Sequence, residues 1–427
     1  MTLRVDGGFA LYFQLTDGVE LHIIKTSQFK SNQIVVNFGT PQTSANTTAR
    51  SLLGDLLETS THKYPTQTAL ARQLSQLYGA DVGTGVGRIG TLHSVRLKAR
   101  FINDRYSYDG LLDNVIDLIH EMLFNPLIDN ESFDEPTFNL QRANLRSAIQ
   151  SLDDDKQYYA ETQLRKLYFD DDSIMQIPSF GRLADLDQLN AENLVPVYRQ
   201  MITSDRINIV VLGDVDERHV VDRFKEFNFT PRPVADHDMM YHQDARPDVT
   251  QKDEIQAINQ SKLNLAYQLP VYFNEPDYYA AVVMNGILGG TPLSKLFVNV
   301  REKESLAYYA SSRYHSFSGM LSIQTGIQNT NYERARVLIG QQVEAVKAGE
   351  FTAELLREVK DSLINQFQAS LDVAGNIAER QLISALLDRP ADDVVQKIED
   401  VTATQVMHVA SLLELQAIYY LNGDLTK

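Results

Sequence analysis

The chain has 427 residues, 43% of them hydrophobic and 22% charged, a balance that suits a folded globular protein and excludes a disordered one. Its formal charge of -17 argues against a nucleic-acid partner, because phosphate binding needs a basic face that releases counterions. There is no cysteine, which excludes disulfides, thiolate metal sites and cysteine nucleophiles.

A chain this long is expected to form two domains of about 200 residues each. The N-terminal stretch MTLRVDGGFALYFQLTDGVELHII has no basic segment followed by an unbroken apolar run, and no later stretch reaches about 18 apolar residues, so a cytoplasmic location without a membrane partner is expected. Strands are predicted at residues 20–24 and 34–38, separated by a polar turn. The next helix, capped near Thr47 or Thr48, puts Leu52, Leu53, Leu56 and Leu57 on one apolar face. A second helical pattern covers 66–77. GVGRIG at 85–90 fits the dinucleotide pattern Gly-x-Gly-x-x-Gly but should be followed by a helix; the segment after it alternates as a strand, so a glycine turn between strands is expected. In that strand, 91–102, His93, Val95, Leu97, Ala99 and Phe101 point one way and Ser94, Arg96, Lys98 and Arg100 point toward solvent.

Helices are predicted through 111–124 and 133–152. The run Asp153, Asp154 and Asp155 lacks the glycine and final glutamate of a calcium loop and reads as a solvated helix end. A strand at 207–212 closes the first domain, 1–228. Residues 229–256, with three prolines and little periodicity, read as a linker. The group His237, Asp238, His242 and Asp244 there is a weak metal candidate. The second domain, 257–427, repeats the plan: a strand at 263–269, a helix at 278–288, a glycine turn in GILGGTPLSK without P-loop spacing, a helix through Val300, paired strands at 307–313 and 320–327, and helices at 332–348 and 352–371. A repeat this long marks a duplicated domain, since solenoid periods are about 20–50 residues.

The segment LFVNVREKESLAYYASSRYHSFSGMLSIQTG at 296–326 holds an Arg-Glu-Lys run, then Leu-Ala-Tyr, then a strand pair ending near a glycine. It resembles the second half of the insulinase-like M16 zinc peptidases, processing-peptidase subunits included. Residues 51–80, LDDD at 152–155 and VVLGDVD at 210–216 fall where the family's first half has counterparts, so the resemblance spans almost the whole chain. It implies an α+β fold of two homologous domains, each a mostly antiparallel sheet covered by helices, facing each other across a cleft.

Family enzymes carry His-x-x-Glu-His on the first helix, two imidazoles ligating zinc and the Glu serving as general base, with a further Glu on a later helix. Aligned on the turn at Pro65, the resemblance puts Arg50, Leu53 and Gly54 at the His, Glu and His positions; aligned on LDDD, it puts Ala148 near the distal Glu. A guanidinium offers no lone pair and the other three side chains carry no ligand atom. No shift of the alignment restores a pair, because His62, which reads as a surface residue, is the only histidine between His22 and His93. The chain is therefore expected to hold no metal and no cofactor and to be inactive alone.

For Arg301 and Tyr308 the resemblance implies a role: the pair would engage substrate backbone and help stabilise the oxyanion. Read without it, Arg301 belongs to a solvated charge run and Tyr308 or Tyr309 to a packed strand. In two-chain members one subunit carries the zinc and the other supplies this pair, so the implied partners are a zinc-motif-bearing M16 homologue and an unfolded peptide. The alternative is a scaffold that binds a partner without proteolysis. The pattern also resembles a bacterial set, accompanied by a zinc-bearing relative, that is associated with the 5-aminopentanol modification of elongation factor P.

Overall fold

A computed structural model describes residues 2–5, 8–171, 173–233, 237–390 and 393–423. No helix among them is long and apolar enough to cross a membrane. They group into two compact units, one of residues 1–149, 177–237 and 370–392, the other of 150–176, 238–369 and 393–427.

In chain order the first unit has strands β1 (Thr2–Val5), β2 (Gly8–Thr16), β3 (Val19–Lys25) and β4 (Ser31–Pro41), helices α1 (Thr47–Leu57) and α2 (Gln67–Gln76), and the hairpin β5 (Asp81–Ile89) and β6 (Leu92–Ile102). Helix α3 (Leu111–Phe124), the short pair β7 (Ile128–Asp129) and β8 (Ser132–Phe133), and α4 (Glu135–Ser151) follow. Helix α5 (Lys156–Tyr168) lies in the second unit, after which α6 (Leu183–Leu186), α7 (Leu194–Ser204), β9 (Arg206–Gly213) and α8 (Glu217–Lys225) return to the first. The second unit continues with β10 (Thr250–Gln256), β11 (Ser261–Gln268), α9 (Tyr278–Asn285), β12 (Ala307–His315), β13 (Met320–Ile327), α10 (Tyr332–Lys347) and α11 (Ala353–Ser370). Helix α12 (Ala374–Leu386) belongs to the first unit, and α13 (Val394–Glu399), α14 (Ala403–Ser411) and β14 (Glu414–Gly423) complete the second.

The sheets order their strands β1-β2-β3-β9-β4-β6-β5 and β10-β14-β11-β13-β12. The last five strands of the first match the second one for one. In each, the first pair is parallel and the other three are antiparallel. The duplication expected from the repeat is thus present in topology, and β5 and β12 are equivalent edge strands.

Period-two alternation explains the first sheet's core face. Leu21 and Ile23 of β3, Ile34, Val36 and Phe38 of β4, and Ile207, Ile209 and Val211 of β9 are buried against Leu52, Leu53 and Leu56 of α1 and Val115, Ile116 and Ile119 of α3. Each such side chain contributes about 1.5–3 kcal/mol by leaving water. The back face mixes buried apolar residues, Ile24, Val35, Val210 and Leu212, with polar ones, and α12 adds polar contacts there: Gln381 Nε2 lies 3.1 Å from His22 Nδ1 and Arg96 donates to Glu379 at 2.7 Å, while Arg206 donates to Glu20 of β3 at 3.0 Å and to Asp388, just past α12, at 2.9 Å. In the second unit α5 covers the equivalent face with apolar groups, Ala160, Leu164 and Tyr168 packing with Ala266, Ala417 and Tyr419.

Several expectations are corrected here. The units are not contiguous halves, because the helices after Ser151 and Ser370 each cross to the other unit's sheet. The linker reading of 229–256 fails at both ends: Arg232 is buried, donating to the carbonyls of Thr230, Ile202 and Asp205, and residues 250–256 form β10, paired with β14. GVGRI lies inside strand β5, so the turn is at Gly90. Gly286–Gly290 is π-helical, with the turn after it. Ser94 is buried and Arg96 is bonded to Glu379 of α12, leaving Lys98 and Arg100 as the solvated residues of β6. The helix N-cap is Asn46, and Thr47 and Thr48 are buried inside α1. Residues 153–155 are exposed as expected, Asp155 capping α5 by accepting from the Gln157 and Tyr158 amides.

Candidate functional site

Helix α1 carries Arg50 and Gly54 on one face, four residues apart, and that face is closed against the sheet. Arg50 is buried. Its Nη1 donates to Asp205 Oδ2 at 2.5 Å, its Nη2 to the Phe38 carbonyl at 2.9 Å and its Nε to His93 Nδ1 at 3.1 Å. His93 Nε2 in turn lies 2.8 Å from the Ser179 carbonyl, which assigns the neutral tautomer protonated at Nε2. Burial and the Arg50 charge hold His93 down to about 4. Burial pushes Asp205 up to about 6 although Arg50 pulls it down, so the carboxylate is ionised at neutral pH. Leu53 is part of the apolar core, Gly54 faces Thr84 and Val95, and Ala148 is exposed on α4. These residues do not fit a zinc ion. The one polar side chain among them is a cation whose donors are engaged, and no group of three His, Asp or Glu placed to hold a metal occurs among the described residues.

In the last turn of α1 and at its C-cap are two carboxylates, Asp55 and Glu58, that sequence reasoning did not single out. Glu58 accepts from the Thr84 amide at 2.5 Å and the Thr84 hydroxyl at 3.1 Å, and that hydroxyl also donates to the Gly54 carbonyl at 2.8 Å. Asp55 has no side-chain hydrogen bond among the described residues, and burial, reinforced by the Glu58 charge, pushes it up to about 7. The spacing Asp55-x-x-Glu58 was the available signal. The native state therefore keeps a proton that the unfolded chain releases near 3.8, and stability falls as pH rises from there through about 7. Asp55→Asn is expected to be more stable than the parent at pH 8 by about 1–2 kcal/mol after solvent screening, with no difference at acid pH. Urea midpoints across that range check it; a pH-independent difference contradicts it.

The Thr84 amide donates to Glu58 and not across to its register partner Leu97, so it lies on the open side of β5. By the two-residue period the Val82 and Val86 amides share that side. On the back face a cleft of about 710 Å³ runs along β5 and β6 toward the start of α12, lined by Gly83, Gly85, Gly87, Lys98 and Arg100 among others.

In the second unit Arg301 lies in the last turn of the π-helical segment Leu296–Lys303, and the chain turns through Ser305, at φ 50°, with the Leu306 amide donating to the Val300 carbonyl at 3.1 Å. Strand β12 begins with a bulge: Ala307 pairs with Ile327 and Tyr309 with Gly326, so Tyr308 is the extra residue. Tyr308 is 58% exposed and makes no hydrogen bond among the described residues. The Arg301 side chain is 41% exposed; its guanidinium lies 4.5 Å from the Phe297 ring centre and 3.7 Å from Glu302. Tyr309 is structural. It donates to Gln157 of α5, lies under Lys262, and is pushed up by burial and by Asp155. Gly326 permits this: a Cβ there would lie 2.4 Å from the Tyr309 ring.

A family model described as "Peptidase M16 inactive domain" matches residues 188–363. The chain is 30% identical to "Probable inactive metalloprotease YmfF" of Bacillus subtilis over 411 residues, 95% of this chain and 96% of that one. The chain belongs to the M16 peptidase family. It is also 22% identical over 353 residues, 82% of each chain, to "Uncharacterized zinc protease YmxG" of the same organism. The crystal structure of a conserved protein from Enterococcus faecalis superposes with a TM-score of 0.93 at 37% identity, covering 97% of this chain and 99% of that one. The chain is thus an M16 metalloprotease homologue of the inactive kind.

The remaining motifs are structural in this M16 chain. His237 Nε2 lies 2.8 Å from the Thr91 hydroxyl, and the His242 ring is tilted against that of Tyr272, with ring centres 4.2 Å apart, and has Asp238 at 3.4 Å. His62 is exposed, as expected.

Proposed function

We propose that the chain is the non-catalytic subunit of a two-chain M16 peptidase in the cytoplasm, lending Arg301, Tyr308 and half of a peptide-binding chamber to a homologue that carries the zinc. The observation that carries this reading is the pair itself. Arg301 and Tyr308 are presented in the open beside a strand bulge, while the equivalent of the metal helix is filled by a structural ion pair. A phenol and a guanidinium so placed donate hydrogen bonds to a carbonyl oxygen as charge develops on it. Peptide backbone is taken up by strand addition at the open side of β5, where an incoming carbonyl replaces Glu58 on the Thr84 amide.

Co-expression with a zinc-motif homologue tests this. The expected result is a stable complex that cleaves unstructured peptides, with neither chain active by itself. A homologue that is equally active without this chain would reject the subunit role; peptide binding by this chain with no complex would mark a scaffold instead.

A further inference from the structure

Strand β5 is bare on its back face. Gly83, Gly85 and Gly87 occupy alternate positions, opposite Lys98, Arg96 and Ser94 of β6 in register. A Cβ at Gly85 or Gly87 would meet nothing within 4 Å, and one at Gly83 would meet only the Glu58 carboxylate, at 3.1 Å. A peptide strand added at the open side of β5 would lie about 4.8 Å from β5 and twice that from β6, with every second side chain on the back face. Ordinary residues at 83, 85 and 87 would wall those side chains off from β6. With hydrogens there, the space is the cleft, and an extended side chain from each of the outer strands can meet above the stripe.

The charges across the stripe differ in availability. Arg96 is committed to Glu379 at 2.7 Å and to Asn37 at 3.1 Å. Arg100 is 3.6 Å from Asp81 with both side chains largely exposed, a weak attachment. Lys98, opposite Gly83, is exposed and has no ion pair or hydrogen bond among the described residues. Two acids, Asp81 and Asp372, also line the cleft, and a third, Glu58, has its carboxylate beside Gly83 until an incoming strand displaces it from the Thr84 amide.

We propose, resting on the strand-addition reading above, that the β5 edge selects peptides carrying an acidic side chain on the back face opposite Gly83, read by Lys98 across the glycine stripe. The substrate class is then an extended peptide with a local acidic residue, although the chain as a whole is acidic. The opposite register, with the acid beside Asp81, is disfavoured by like charge.

The test uses the full chain alone and labelled unstructured peptides of one sequence bearing Glu, Gln or Lys at a single central position, with affinity read by fluorescence anisotropy. The Glu peptide is expected to bind about two- to fivefold more tightly than the Gln peptide at low salt, and the preference to shrink as salt rises. Lys98→Glu should reverse the order, and Gly85→Val, a good strand former that raises the wall, should flatten it. Binding without charge preference, or a preference unchanged in Lys98→Glu, would overturn this inference alone. No binding by any peptide would overturn strand addition at β5 and this inference with it.

Discussion

Asp205→Ala is expected to destabilise the chain by about 3–5 kcal/mol, read as a drop in the urea midpoint, because it strands a buried guanidinium. Arg50 has no route to solvent and keeps only the Phe38 carbonyl and His93 as acceptors once the carboxylate is gone. The Asp205 carboxylate also attracts Arg232, a second buried cation, which keeps its bond to the residue 205 carbonyl but loses that attraction. The double variant Arg50→Met/Asp205→Leu is expected to recover most of the loss, since removing both charges removes the desolvation cost as well as the attraction. A loss below about 1 kcal/mol in Asp205→Ala would show that the pair is not what holds the α1 face shut. The network also sets an acid limit. His93 refuses the proton that an unfolded histidine takes near 6.5, so its contribution to stability is lost as pH falls from there toward about 4.

Much of the first unit's core was legible because period carries it. The Leu52, Leu53, Leu56 and Leu57 face of α1 and the Val95, Leu97 and Ala99 face of β6 are local patterns, and both are buried in the structure. The crossing of α5 and α12 was not legible. An apolar or polar face says that a helix must be covered, not which sheet covers it, and the Arg96–Glu379 and His22–Gln381 contacts join residues hundreds of positions apart. Arg232 was hidden in a proline-rich stretch because its partners are backbone carbonyls, which leave no trace in side-chain chemistry. Glu58 was missed for the related reason that its partner is an edge-strand amide. At the candidate site, the family resemblance picked out Arg301 and Tyr308 but not the bulge between Ala307 and Tyr309, which is a property of pairing with β13.

If the proposed two-chain complex forms, Tyr308→Phe in it is expected to lower turnover about 10²- to 10³-fold, the usual effect of removing one donor to a developing oxyanion. Arg301→Ala should act in the same range. The structural part of the prediction is that neither change weakens the fold. Tyr308 is exposed and unbonded among the described residues, and the Arg301 side chain holds only an exposed contact with Glu302 and a stacking contact on Phe297, so urea midpoints should stay within about 0.5 kcal/mol of the parent. Tyr309→Phe is the contrasting variant: it leaves Gln157 Oε1 without its half-buried phenol donor, so it should lower stability by about 1 kcal/mol and spare turnover. The neighbouring tyrosines thus separate two roles that adjacent positions could confuse. Loss of turnover with Tyr309→Phe and not with Tyr308→Phe would move the site to the wrong side of the bulge. Full activity in both Tyr308→Phe and Arg301→Ala would remove these residues from the reaction altogether.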